Sequence, residues 1–285
     1  MATAESATAL ADHARDVYSQ NGEDGIIERI FEILGVSQGW CVEFGAWDGI
    51  HLSNTRHLID QGWHAALIEG DAAKTAELKT NNAQFPNVVC RNAFVGFDAP
   101  TDLDTILGEM GVPEDGLDLL SIDIDGNDFH VWESLQRYRP KAVVIEINPT
   151  IPNHIEFVQA RDMTVQQGSS ALSLVKLGKT KGYELVATTQ CNCIFVRDDL
   201  FPAMGIADNS LDDLRTSRED ETSILHLFDG TLVVAGRKHH PWNGLELLDK
   251  RVQLLPAPLR TYTPEASART RKLQNAWAWL YRKRP

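Results

Sequence analysis

Trp40-Cys41-Val42-Glu43-Phe44-Gly45-Ala46-Trp47-Asp48-Gly49, followed one short helix and strand later by Leu67-Ile68-Glu69-Gly70-Asp71, is the stretch that decides how this chain folds. A short apolar run ends in an acid, two glycines let the backbone turn sharply and approach a ligand, and a second acid closes the next apolar run. At a strand end, Glu69 is placed to accept hydrogen bonds from a ribose diol. The spacing sets this loop apart from a dinucleotide site. G-x-G-x-x-G brings a helix N-terminus against a pyrophosphate, whereas Glu43-x-Gly45-x-x-x-Gly49 puts a negative charge before the first glycine and suits a cationic ligand without phosphate. S-adenosylmethionine is such a ligand, with its ribose, adenine, ammonium and sulfonium.

Outward from this βαβ unit, β-type apolar runs recur at Cys41–Phe44, Ala65–Ile68, Val88–Val89, Leu117–Ile124 and Ala142–Ile147. Helical stretches are expected between them, over Asn54–Gln61, Ala72–Asn82, Thr101–Met110 and Asp128–Tyr138. That alternation predicts an α/β fold with a mostly parallel sheet and helices on both faces. A further helix over Ser170–Lys181 precedes Tyr183–Ala187 and Cys193–Val196, which are close enough for a terminal antiparallel hairpin. This is the arrangement of Rossmann-like methyltransferases. Asn21-Gly22-Glu23-Asp24 reads as an N-cap with acids in the first turn, and Ile26, Ile27, Ile30, Phe31, Ile33 and Leu34 as the buried stripe of that helix. The expected divisions are a helical arm over 1–17, a ligand-binding domain over 18–198 and a C-terminal extension over 199–285, with one more strand at Thr231–Ala235.

The 285 residues, 43% hydrophobic and 24% charged, suffice for one sizeable core. No run approaches the roughly 20 apolar residues that span a bilayer, and the first ten residues lack a basic, then apolar, leader pattern, so a cytoplasmic location is expected. Cys41, Cys90, Cys191 and Cys193 are too few for a disulfide framework. The net charge of −13 argues against general nucleic-acid binding. One local exception runs from Arg260 to Pro285, where seven basic residues face the single acid Glu265 and are interleaved with Trp277, Trp279 and Tyr281. Within it, Arg269–Arg284 is expected to form an amphipathic basic helix packed on its domain or on a second subunit, with attraction to an anionic glycan or membrane surface as the other reading.

Ligands of open parallel sheets bind beyond the carboxyl ends of the strands. Two ends here are rich in acids. Strand alternation places Asp123 and Asp125 of Ser121-Ile122-Asp123-Ile124-Asp125-Gly126 on one side, and Glu146 and Asn148 of Ile145-Glu146-Ile147-Asn148 on one side of the next strand. Like-facing carboxylates repel, so a hard divalent cation such as Mg²⁺ is expected among Asp123, Glu146 and Asn148, or one acid is held protonated. Asp125 and His154 are the candidate proton acceptors, and Asp128 reads as the cap of the following helix. On the nucleoside side, the candidates are Glu43, Gly45, Asp48, Glu69 and Asp123. Ser53, Asn54 and Thr55, at a helix start, suit the carboxylate of an amino-acid moiety, and Asn92, after the third strand, an adenine amino group.

Ser19-Gln20-x-Gly22-Glu23-Asp24-Gly25, Val42-Glu43-Phe44-Gly45-Ala46-x-Asp48-Gly49, Ser53-Asn54-Thr55, Ile68-Glu69 and Ile122-Asp123-Ile124-Asp125-Gly126 together resemble the FkbM-like S-adenosylmethionine-dependent O-methyltransferases, over about Tyr18 to Val196. The resemblance implies a seven-stranded methyltransferase sheet and methylation of a hydroxyl on a sugar, glycan or glycosylated natural product. Related sugar O-methyltransferases use a D-x-D in which one Asp binds Mg²⁺ and the next lies near the accepting hydroxyl as a base. Asp123 and Asp125 match those positions. Those relatives commonly carry two adjacent acids at strand five, where this chain has Glu146-Ile147-Asn148, so a metal-free mechanism also stands open. A metal-dependent glycosyltransferase using the same D-x-D, or a non-catalytic binding module, are the rival readings. Glu43 and Glu69 oppose a diphosphate and so oppose the first.

Overall fold

The computed structural model describes residues 10–240 and 242–282. Within it the chain divides into two compact units, 1–216 and 217–285. In the first, α1 (Glu23–Ile33), β1 (Trp40–Phe44), α2 (Arg56–Asp60), β2 (His64–Glu69), α3 (Ala72–Asn81), β3 (Val88–Asn92) and α4 (Leu103–Glu109) are followed by β4 (Leu117–Ile122), α5 (Asp128–Ser134), β5 (Ala142–Glu146), α6 (Ala171–Thr180), β6 (Tyr183–Thr188), β7 (Asn192–Arg197) and the single-turn α7 (Leu211–Leu214).

Seven strands form one sheet in the order β3-β2-β1-β4-β5-β7-β6. β1 to β5 are parallel, and β7 runs antiparallel between β5 and β6. This is the Rossmann-like methyltransferase sheet that the alternation of runs predicts. The expected hairpin is present, with its second strand on the inside of the sheet.

Strand side chains alternate between two cores. Val42, Phe44, Leu120, Ile122, Val143, Ile145 and Phe195 pack under α4, α5 and α6 through Leu103, Ile106, Val131, Trp132 and Leu174. Cys41, Ala65, Leu67, Leu119, Val144 and Ile194 pack against α1, α2 and α3 through Ile26, Ile30, Phe31, Leu58, Ile59 and Leu78. All six residues of β4 are buried, which fits its central place and its nearly continuous apolar sequence. The helices start where short polar side chains cap them: Asp71 accepts from Lys74 N (2.8 Å), Asp102 from Thr105 N (2.8 Å) and Ser170 from Ser173 N (3.2 Å).

Several expected elements differ in extent. The arm reduces to one 3₁₀ turn, Leu10–His13, with the expectation for residues 1–9 lying outside the described residues. Gly22, in a left-handed conformation (φ 94°), rather than Asn21, stands at the N-cap of α1. Asp24 is drawn from the helix end because one of its oxygens accepts the backbone N–H of Val17, Tyr18 and Ser19, folding that loop back on the helix. Residues 17–19 are thereby pinned to the first turn of α1. α5 stops at Ser134 because Asp104 accepts the backbone N–H groups of Gln136 (2.8 Å) and Arg137 (2.9 Å), which pulls the chain away from the helix axis. All four cysteines are free.

The second unit holds the antiparallel pair β8 (Thr222–His226) and β9 (Leu232–Gly236), a short ladder of β10 (His239–His240) with β11 (Leu245–Glu246), a single-turn α8 (Asp249–Val252), and α9 (Ala268–Arg282). β8 has four of five residues exposed and lacks an apolar pattern, so only its partner β9 is visible in the sequence. Lys283 and Arg284, read as the end of the last helix, lie outside the described residues. Among the described residues, no helix is long and apolar enough to cross a membrane.

Candidate functional site

At the carboxyl end of β1 the chain turns at Gly45 (φ 74°), where an added Cβ would lie 1.7 Å from the carbonyl oxygen of Asp123. A side chain there would push β1 off the end of β4, so this glycine is required by close approach. Two residues on, Trp47 adopts a left-handed conformation (φ 46°) that aromatic residues avoid, and the residue is 45% exposed. Its backbone N–H is held by Glu69 Oε2 at 2.9 Å, and Glu69 Oε1 accepts from Asp71 N at 2.7 Å. Glu69 therefore joins the β1 and β2 loops while its remaining lone pairs stay available to a ligand.

Asp48 organises the rest of the glycine loop. Its carboxylate accepts from Ile50 N and His51 N and faces His51 Nδ1 at 2.5 Å. Burial opposes its ionisation, yet these hydrogen bonds outweigh burial and hold its pKa below the usual carboxylate range. Asn92, expected to read an adenine, donates Nδ2 to Glu69 O, Gly70 O and Thr75 Oγ1, all at 2.9 Å. It fastens the turn after β2. Phe94, 74% exposed, covers Gly70 so closely that a Cβ there would meet its ring at 2.7 Å.

Glu43 lies deeper than its place in the loop suggests, with 5% of its surface exposed. It accepts from Ser53 Oγ (2.6 Å), Thr55 Oγ1 (2.6 Å) and Asn54 N (2.8 Å). Burial raises its pKa, and those three donors pull it back. Ser53, Asn54 and Thr55, which the sequence offers to a ligand carboxylate, are instead buried and engaged with Glu43. Asn54 Nδ2 donates further to Ser121 Oγ on β4 at 3.1 Å. The sequence shows an acid and a donor triplet ten residues apart, and the structure makes them partners.

The acid-rich end is built differently from the strand alternation expected for it. β4 ends at Ile122, and Asp123 to Gly126 form a turn in which Asp125 takes a left-handed conformation (φ 57°). That turn, rather than a shared strand face, brings Asp123 and Asp125 to Glu146 at the end of β5, with one carboxylate oxygen from each within 4.8 Å of the others. Asp128, expected as a helix cap, is buried and instead accepts from Ile124 N and Gly126 N, both at 2.9 Å, bracing the turn from behind. The loss of surrounding water and the neighbouring Asp128, Asp125 and Glu43 push the Asp123 carboxyl up to about 8, although part of its surface still faces the cleft. Burial, then the neighbouring Asp123, Asp128 and Asp125, push Glu146 up to about 10, and burial raises Asp128 to about 6. Three carboxylates this close together fit either a shared proton or a hard divalent cation with oxygen ligands.

Two expected members stand apart from this group. Asn148 lies beyond the end of β5, and its Oδ1 accepts from Thr150 N (3.0 Å) and Thr150 Oγ1 (2.6 Å) while Nδ2 donates to Gln167 O (2.8 Å). Its amide shapes the loop between β5 and α6. His154 is exposed in that loop and does not join the three acids. The loop is locked by a residue the sequence gives no reason to choose: buried Arg215 donates to Pro149 O (2.7 Å), Ile151 O (3.2 Å) and Asn153 Oδ1 (2.6 Å).

No protein-family model matches the chain, and comparison with curated proteins finds no match. Among solved structures, the N-terminal domain of EvdMO1 with SAH bound aligns over 64% of this chain and 82% of its own, at 15% identity and TM-score 0.44. A SAM-dependent methyltransferase from Aquifex aeolicus aligns over 60% and 87%, at 10% identity and TM-score 0.38. A TehB-like SAM-dependent methyltransferase from Corynebacterium glutamicum aligns over 66% and 92%, at 14% identity and TM-score 0.37. These are distant likenesses, and the fold assignment rests on the chain's own strand order and hydrogen bonding.

Proposed function

We propose that this chain is an S-adenosylmethionine-dependent O-methyltransferase of FkbM-like type, acting on a hydroxyl of a sugar, glycan or glycosylated natural product with help from Mg²⁺. The observation that carries this reading is the pairing of two chemically distinct ends along one edge of a β3-β2-β1-β4-β5-β7-β6 sheet: Glu69 with the glycine turn at Gly45, and the three acids Asp123, Asp125 and Glu146. The first end suits a nucleoside without phosphate, and the second a hydroxyl that must lose its proton.

When bound, S-adenosylmethionine supplies a methyl carbon made electrophilic by its sulfonium. In this reading Glu69 holds the ribose hydroxyls, and the Gly45 turn admits the ligand backbone. Asp48 and the Glu43 clamp on Ser53, Asn54 and Thr55 keep that turn in shape. Asp123, at the meeting point of β1 and β4, lies between the two ends. Asp125 is the first choice to take the acceptor proton, with His154 second. A divalent cation held by Asp123 and Glu146 would lower the pKa of the acceptor hydroxyl and fix its position. Alignment of the two reactants contributes the rest of the acceleration.

Calorimetry with S-adenosylmethionine, followed by a mass-based screen for methylated saccharides with and without EDTA, tests this reading. Absence of cofactor binding to the folded chain overturns it. Activity that survives chelation unchanged removes only the metal. The rival glycosyltransferase predicts binding of a nucleotide sugar in place of S-adenosylmethionine.

A further inference from the structure

The two compact units carry opposite charge. Residues 1–216 contain 15 Lys and Arg against 33 Asp and Glu, a net −18, whereas residues 217–285 contain 12 against 7, a net +5. The basic excess of the second unit is concentrated on α9, whose first turn carries no acid and which contributes Arg269, Arg271, Lys272 and Arg282. One stripe of this helix faces its own unit. Gln274 Nε2 donates to Leu259 O at 2.8 Å, Trp277 Nε1 donates to Leu254 O at 2.6 Å, and Thr270 on the same stripe is half-buried.

At about 100° per residue, Arg269, Lys272, Leu273, Ala276 and Leu280 project together from the arc beside and behind that stripe. Leu273 and Leu280, two turns apart, are 49% and 52% exposed. Basic side chains alternating with exposed leucines do not suit a face that meets water alone. They suit an interface that is anionic at its surface and apolar just beneath it. Trp279, 56% exposed, borders the same arc, and indole rings settle at the headgroup level of membranes.

We infer that α9 docks this protein on an anionic lipid surface, lying in the plane of the headgroups with Leu273 and Leu280 dipping toward the acyl chains and Arg269 and Lys272 meeting lipid phosphates. The acidic balance of the whole chain does not prevent this. At physiological salt, charges are screened beyond about 8 Å, a fraction of the roughly 22 Å length of α9, so the lipid surface meets the local sign. A reversible, peripheral association follows, since one short helix carries too little apolar surface for a permanent anchor.

The test is co-sedimentation of the full chain with vesicles of phosphatidylcholine alone and of equal parts phosphatidylcholine and phosphatidylglycerol. It requires neither cofactor nor acceptor, so it stands apart from the methyltransferase reading. Partitioning onto the anionic vesicles only, and release as salt is raised, is the expected result. Arg269→Gln with Lys272→Gln should weaken partitioning about 25-fold, about fivefold for each basic residue. Leu273→Ser with Leu280→Ser should also weaken it while circular dichroism stays native, because both leucines are at the surface. Protein that stays in the supernatant with both vesicles overturns the inference. So does equal partitioning of wild type and the double glutamine variant, a dimer that the serine variant dissociates and that binds no vesicle, or retention on polyuridylate in place of lipid.

Discussion

Replacing Glu69 by alanine tests the nucleoside end of the site most directly. Each Glu69 oxygen already accepts one backbone N–H, from Trp47 at 2.9 Å and from Asp71 at 2.7 Å, so the carboxylate is held in place before a ligand arrives. Hydrogen bonds from ribose hydroxyls to such a preordered anion contribute about 1–3 kcal/mol, so Glu69→Ala should weaken cofactor binding by about 5- to 150-fold. A second effect concerns stability. Trp47 sits at φ 46°, a conformation that costs about 1–3 kcal/mol, and its N–H loses the partner that helps hold it there. Loss of roughly 1 kcal/mol of that support lowers the melting temperature by about 2–4 °C for a protein of this size. Glu69→Gln separates the two effects, because the amide keeps one oxygen for a backbone N–H but loses the charge. Titration calorimetry with S-adenosylhomocysteine on wild type and both variants gives the answer. Wild-type affinity in a folded Glu69→Ala protein would refute the assignment of ribose to this end.

Gly45→Ala should destabilise the fold by about 2 kcal/mol or more, since its Cβ would lie 1.7 Å from Asp123 O at a positive φ; an unchanged melting temperature would contradict that close approach. Asp123 and Glu146 titrate above the ordinary carboxylate range near 4, so the folded chain binds more protons than the unfolded chain from about pH 4 up to about 8 for Asp123 and about 10 for Glu146, and in EDTA it loses stability across that window. Glu146→Gln should flatten that loss by about 1–2 kcal/mol after allowing for solvent around Asp123, and Mg²⁺ should raise the wild-type melting temperature at pH 8; parallel pH curves for the two proteins would remove the electrostatic coupling. Asp125→Asn keeps a residue that tolerates the left-handed turn, so it should retain cofactor affinity and lower kcat by about 10²-fold, whereas an unchanged kcat would pass the role of base to His154.

The parallel sheet was legible because its strands are near-continuous apolar runs separated by crossover lengths, and two buried faces demand that pattern. The strand-end positions of Gly45, Glu69, Asp123 and Glu146 were legible for a related reason: each apolar run shows where its strand stops. What the sequence left hidden depends on who meets whom across the fold. Ser53, Asn54 and Thr55 look like ligand donors until Glu43 is seen to be buried against them. Asn92 and Asn148 look like binding groups until their amides are traced to neighbouring loops. Arg215 follows the loop it locks by more than 60 residues and carries no local mark. Asp125 reached the site through a left-handed turn, which a period-two pattern cannot register.

The placing of β7 between β5 and β6 has a consequence for synthesis. Residues 147–191, β6 among them, must leave the ribosome before Asn192–Arg197 can take their place, and until then β5 presents an open row of backbone donors and acceptors. At about 5–20 residues per second that interval lasts roughly 2–9 s. The long β5–α6 loop and the capped helix α6 form within it, so the half-sheet waits with a covered face and a bare edge. A chain that stalls in this interval is a template for pairing with another copy, and the last interior strand is what ends the exposure.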